Sequence, residues 1–167
     1  MGLTAHENRN IKCYMKRDSR LSIILHALLH MAAQGKPMTS ADLAVCMDTN
    51  PVVVRRTMAG LREVGIVHSG KGHGGGWRLG RELTDISLRD VYEALGAPAL
   101  FALGNHAESP GCLIEQAINR KLDKTFLEAE ALLIARLGEI TLADIWSGIR
   151  DPFMAYHDNR KASDHDL

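Results

Sequence analysis

NPVVVRRTMAGLREVGIVHSGKGHGGGWRLG, residues 50–80, is the stretch that decides the fold. Asn50 has a short polar side chain suited to accept from the free N–H groups at a helix start. Pro51 fits the first helical position, because the N–H it lacks would find no partner there anyway. Val53 or Val54, Met58 and Leu61 then recur at helical spacing, which predicts a helix over about 51–64 with that stripe inward and Gly65 as its stop. The other faces carry Arg55, Arg56 and Arg62. Ile66-Val67-His68-Ser69 reads as a short strand, Gly70 to Gly76 as a glycine-rich turn and Trp77-Arg78-Leu79 as a second strand, so a hairpin, or wing, follows the helix. Five glycines in seven residues, with Lys71 and His73 between them, permit positive φ and close backbone approach to a partner. A nucleotide-phosphate loop competes for this pattern, but such loops join a strand to a helix N-terminus, and here strand-like residues lie on both sides.

Upstream, Leu21, Ile24, Leu25, Leu28, Leu29 and Ala32 recur at three and four, predicting an amphipathic helix over 19–33 that ends at Gly35 and Pro37. Thr39 or Ser40 caps a second helix of about two turns through Asp42, Leu43, Ala44 and Val45. With the tight turn Asp48-Thr49-Asn50, the pair makes a helix-turn-helix whose second helix bears the arginines. Downstream, Ser87 caps a helix through Val91, Tyr92 and Leu95 to Gly96, and small and polar residues fill a loop over 97–111. Ile114, Ile118, Leu122, Phe126, Ala129, Leu133 and Leu137 then mark one helix of about 25 residues, stopping at Gly138. A second apolar set, with Leu113, Leu127, Leu132 and Ile134 in it, widens its apolar surface beyond a single stripe. That length and surface favour packing against a second copy over a lone surface helix. A last short helix spans 142–149. The chain therefore divides into an N-terminal extension (1–14), a winged helix-turn-helix (15–96), a loop (97–111), a dimerisation helix region (112–150) and a disordered tail (151–167). The fold class is mostly α with a small β wing.

Charge supports a polyanion partner only when it is split by position. The 167 residues hold 20 Lys and Arg against 20 Asp and Glu, a net charge of zero. Residues 1–81, however, hold 12 basic and 5 acidic side chains and residues 82–167 hold 8 and 15, so the halves carry +7 and −7. A chance segregation of solvated faces is the competing reading. Cys13, Cys46 and Cys112 are too scattered for a disulfide framework or a CxxC zinc site. With no apolar run long enough to span a membrane and no leader pattern in the first twenty residues, the expectation is a cytoplasmic protein with no membrane partner. No serine elbow, HExxH or paired carboxylates with a partner base is present, so the chain does not read as an enzyme.

Residues 50–80, followed by ISLRDVYEALG and later by CLIEQA and ITLADI, strongly resemble the winged-helix regulators of the IscR, NsrR and CymR family over about residues 16–149. The resemblance implies a cytoplasmic homodimer on a pseudo-palindromic double-stranded DNA operator, mostly as a repressor. Matched position by position, it implies Val52, Arg55 and Arg56 toward base edges, with Thr57 and Arg62 nearer the backbone. Thr39 and Ser40 would donate to phosphate. Lys71 falls where the family has an arginine that enters the minor groove, flanked by His73 and Arg78 in a wing shaped by Gly72, Gly74 and Gly75. Lysine keeps the charge but loses the planar donor fork. A solvated helix face is the bland alternative for Arg55 and Arg56.

Many members of that family hold an iron-sulfur cluster on three cysteines ahead of the long helix. Here that loop supplies only Cys112, and the acidic first-helix position of some cluster-binding members falls on Ser22. No ordinary cofactor is expected, and a cluster would need the non-standard set Cys112, His106, His26 and His30. Cys112, at the start of the long helix, is the more economical sensor of oxidants or nitric oxide, because a helix N-terminus favours the thiolate. A small apolar side chain at a helix start is the bland reading of it, and Cys46, between Val45 and Met47, reads as core. The competing function is a regulator controlled by docking of a metabolic enzyme or other protein partner, with no sensor chemistry of its own.

Overall fold

A computed structural model describes residues 19–72, 74–100 and 112–163, with side chains described through residue 152. His73, His106, the N-terminal extension and most of the 97–111 loop lie outside the described residues. Helix α1, Arg20–Gln34, ends where Gly35 turns left-handed (φ 61°) and returns its N–H to the Met31 carbonyl. Helix α2, Ser40–Cys46, starts at Thr39, whose side chain accepts from the Asp42 N–H while the Asp42 carboxylate accepts from the Thr39 N–H. The alternative of Thr39 or Ser40 as cap is thus decided by which has an acid three residues on. A turn through Asp48, at φ 47°, leads to α3, Pro51–Glu63. Asn50 caps α3 by accepting from the N–H groups of Val52 and Val53 at 3.0 and 3.1 Å.

The wing pairs β1, Val67–Ser69, with β2, Trp77–Leu79, in antiparallel register, His68 opposite Arg78. Met38 adds a third edge: its N–H and carbonyl exchange hydrogen bonds with those of Trp77. The turn closes through Gly70 N–H to Gly76 O (2.8 Å) and Gly75 N–H to Gly72 O (2.9 Å). A Cβ on Gly75 would sit 2.6 Å from the Gly70 carbonyl oxygen, so this turn needs glycine for room as much as for backbone freedom.

A 3-10 turn at Leu83–Asp85 leads to α4, Leu88–Ala94, capped by the Ser87–Asp90 box. Ile24 and Leu28 of α1, Leu43 of α2, Val54, Met58 and Leu61 of α3, Ile66, Val67, Ile86 and Val91 fill one core, which Leu142 joins from the far end of the chain. Of the two valines left open by periodicity, Val54 is fully buried and Val53 is exposed.

Helix α5, Leu113–Glu139, has no buried residue. Gly138 does not stop it, contrary to the sequence expectation: the helix continues to Glu139, and the room left by the missing Cβ admits the Arg89 guanidinium of α4, whose nearest atom would lie 3.0 Å from such a Cβ. The last element is also longer than expected. Helix α6 is Leu142–Ser163 and carries Pro152 inside it, so much of the region read as a disordered tail is helical. Proline has no N–H to give the carbonyl of residue 148, so the helix carries one hydrogen bond fewer there. The starts of α4 and α6 are tied together: Leu88 N–H donates to Ile140 O and Leu142 N–H to Ile86 O, both at 2.9 Å.

Candidate nucleic-acid interface

The geometry of α2, its turn and α3 follows from which face of α3 is apolar. Val54, Met58 and Leu61 are buried against the core, so Val52, Arg55, Arg56 and Arg62 are turned to solvent and Thr57 is half-buried at the margin. Val52, one of the few large apolar side chains on this face, is 58% exposed. Arg55 and Arg56 are exposed on a helix whose N-terminal end is capped by Asn50. Arg62, nearly two turns further on, reaches β1 with a long 3.5 Å hydrogen bond from its guanidinium to the Ser69 hydroxyl, linking α3 to the wing.

Lys71, Gly72 and Gly74 at the wing tip and Arg78 on β2 are exposed, and Gly75 is half-buried. Trp77, buried in the wing's base, donates its indole N–H to the Ser40 hydroxyl at 3.0 Å. That bond docks the wing on the start of α2. It also leaves the Ser40 hydroxyl proton available to an outside acceptor. Thr39 differs: its hydroxyl donates to Asp42 (2.8 Å) and accepts from the Asp42 N–H, so it serves the cap. Those hydrogen bonds, from the Thr39 side chain first and backbone second, hold the Asp42 carboxyl below its ordinary range. Arg81 was not singled out in the sequence. Its guanidinium donates to the Val64 carbonyl and fastens the end of the wing to the end of α3.

The cysteines and histidines fall out differently from the expectation. Cys112 is exposed at the N-cap of α5. Cys46 is not core: it is half-buried beside His26, and burial pushes its thiol up. Its apolar neighbour Val45 is 86% exposed, so the helix presents this side to a groove and not to the core. His26 and His30 do share a face of α1, but among the described residues the group they form includes Cys46 and not Cys112. Of the long-helix positions, Ile114, Ile118, Leu122 and Leu133 are exposed and Phe126 is half-buried, while Leu137 packs against the winged-helix core.

No described helix is long and apolar enough to cross a membrane. The Rrf2 family model, described as an iron-dependent transcriptional regulator, matches residues 17–148. YwnA of Bacillus subtilis (strain 168), named as an HTH-type transcriptional regulator, is 32% identical over 129 residues, 77% of this chain and 95% of that protein. A crystal structure named as that of a DNA binding protein is 30% identical, with a TM-score of 0.60 over 76% of this chain and 98% of the other. A transcriptional regulator from Lactobacillus plantarum has the same fold, with a TM-score of 0.66 at 23% identity over 84% of this chain and 97% of that one. A mostly helical chain with a two-stranded wing and a helix-turn-helix, matched over most of its length, belongs to the Rrf2 family of transcriptional regulators, which are not enzymes.

Proposed function

We propose that the chain is a cytoplasmic homodimeric repressor that reads a pseudo-palindromic DNA operator, laying α3 in the major groove and the wing along the adjacent minor groove. The observation that carries this reading is the split face of α3: one side is sealed into the core by Val54, Met58 and Leu61, and the other offers Val52, Arg55 and Arg56 to solvent. Arginine pairs its planar fork with guanine O6 and N7, and a valine can pack on a thymine methyl. Thr57, Arg62, Ser40, Arg78 and the wing tip at Lys71 lie where phosphates would run, with Thr39 fixing the start of α2. Repression, as against activation, follows the family resemblance.

Dimerisation through α5 is supported by its unburied apolar side chains, Leu113, Ile114, Ile118, Leu122, Leu127, Leu132 and Leu133. An apolar surface of that extent on one helix marks an interaction face. A second copy supplies the same surface by two-fold symmetry and doubles the operator contacts.

The donor set among the described residues does not fit a cysteine-held iron-sulfur cluster. Such a cluster takes mostly thiolates, and the one described group of candidate ligands, His26, His30 and Cys46, brings a single sulfur. Signal sensing in this reading falls to Cys112, exposed at the start of a 27-residue helix. Cys112→Ser keeps operator binding and abolishes its response to peroxide or nitric oxide. A response that survives the substitution removes Cys112 from this role.

The test of the main reading is selection of an operator from random DNA, followed by titration at physiological salt. Wild type binds the selected site well above random DNA. Arg56→Ala weakens the specific complex by about 1 to 3 kcal/mol and relaxes preference at one base position per half-site. Equal affinity of the wild type for selected and random DNA overturns sequence-specific recognition.

A further inference from the structure

His26 and His30 lie one turn apart on α1, so their imidazoles project from the same face. Nε2 of His30 is 2.9 Å from Nε2 of His26, and Sγ of Cys46, at the end of α2, is 4.0 Å from Nδ1 of His26. One donor atom from each of the three side chains lies within 4.8 Å of the others. Zinc takes imidazole nitrogen at roughly 2.0 to 2.1 Å and thiolate sulfur at about 2.3 Å, which puts donors around one ion some 3 to 4 Å apart. The three side chains are therefore already near that spacing.

Two imidazoles and a sulfur are the wrong donors for magnesium or calcium, which seek oxygen, and the right ones for a borderline-soft transition metal. The i and i+4 pairing of histidines on one helix face is also the arrangement zinc uses in HExxH helices, although Ala27 stands here where those have the catalytic glutamate. The cluster lines an open groove of ≈ 560 Å³ with Gln34, Asp42 and Val45, so a fourth coordination position faces water. The exposed rim gives an ion a way in.

We propose that His26, His30 and Cys46 bind a single zinc-type transition-metal ion that clamps α2 onto α1. As the ion binds, the Cys46 thiol gives its proton to solvent and the two imidazoles bind through neutral nitrogens. The site is distinct from any set that includes Cys112, and its test needs no DNA, so it stands or falls separately from operator recognition.

The test uses the full chain with Cys13 and Cys112 both changed to Ser, leaving Cys46 as the one sulfur nucleophile, titrated anaerobically with Co²⁺ at neutral pH. One Co²⁺ per chain is expected, with a thiolate-to-cobalt charge-transfer band in the near ultraviolet and tetrahedral bands in the visible. Stoichiometric Zn²⁺ displaces both, and Zn²⁺ raises the thermal midpoint by several degrees. Adding Cys46→Ser abolishes the charge-transfer band, and His30→Ala weakens Co²⁺ binding by about 100-fold or more. If the double variant does not fold by circular dichroism, the same bands are compared between the wild-type chain and its single Cys46→Ser variant. The proposal is overturned by the absence of a charge-transfer band in folded protein, or by a band that persists when Cys46 is removed. A plain histidine-histidine hydrogen bond beside a thiol is what either result leaves.

Discussion

The winged-helix region and α5 contain comparable densities of apolar side chains and treat them in opposite ways. From α1 to α4 the leucines, isoleucines and valines that recur on helix faces close on one another, and Ile24, Leu28, Leu43, Leu61 and Val91 are sealed. Along α5 the same residue types recur, none is buried, and Ile114 stays 73% exposed. The difference lies in what packs opposite. The first region folds back on itself through short turns, each helix covering the next. The long helix is held to the rest by α4, by Arg89 over Gly138 and by Leu137 at its far end, and among the described residues none of its side chains is buried. Hydrophobic periodicity reports that a face must be covered and says nothing about which chain covers it.

Two substitutions separate these cases. Ile118→Asp places a charge in the middle of the proposed dimer face. Burying an unpaired charge costs about 3 to 5 kcal/mol, so the dimer dissociation constant rises by at least ~100-fold in sedimentation equilibrium while the monomer keeps its helical circular dichroism. Unchanged association would show that α5 is not the dimer face. Leu61→Ala should instead destabilise the winged-helix fold itself by about 2 to 5 kcal/mol in urea, by the same amount at any protein concentration. A concentration-dependent loss there would mean that the core of this region is not self-contained.

What was legible in the sequence was local. Asn50 before Pro51, Ser87 three residues before Asp90, and Gly35 after an amphipathic run each act within one turn, and the structure places them at the helix ends their chemistry predicts. Gly138 misled because its usual meaning, a helix stop, depends on neighbours. It makes room for an arginine that comes from another helix. Cys46 misled for a related reason. Its sequence neighbours are apolar, whereas its spatial neighbour is His26, twenty residues away on α1. The wing was readable as a hairpin, but its attachment was not: the Met38 bridge and the Trp77 to Ser40 bond join segments nearly forty residues apart, and no period or turn motif encodes such a contact.

The junction between the two regions gives a smaller, pH-dependent test. Ser87 and Thr141, paired across a bridge, each begin a helix and each exchange hydrogen bonds with an aspartate three residues on, Asp90 and Asp144. For Asp90, burial acts upward, but the hydrogen bonds from the Ser87 hydroxyl and backbone, with Arg81 and Arg89 nearby, outweigh it and leave the carboxyl below its ordinary range. Asp144 is held low by the Thr141 backbone and side chain. A carboxylate depressed in the folded state contributes stability above its unfolded pKa, near 3.9, and loses it as pH falls through the lower folded value. Asp90→Ala therefore lowers stability at neutral pH by about 0.5 to 2 kcal/mol, and the gap to wild type narrows below about pH 4. A gap that stays constant into acid would mean that the lost contact is packing and not the charged cap.

The smallest effect expected lies at the wing, where the basic region of a chain with no net charge is proposed to meet DNA. With the acidic half offsetting the basic one, long-range attraction to DNA is weak, and each local phosphate contact shows in the salt dependence. Lys71 is an exposed point charge on a glycine turn, able to follow a phosphate but without the fork that reads a base edge. Lys71→Ala should lower affinity to a similar degree on selected and random DNA and reduce the slope of log K against log salt by about 1. Lys71→Arg should restore that slope and, if the wing enters the minor groove, sharpen preference for its narrow A·T-rich form. An unchanged slope in the alanine variant would place the wing off the backbone and leave α3 to carry the contact with DNA, with the wing's glycines serving only to close the hairpin against Met38.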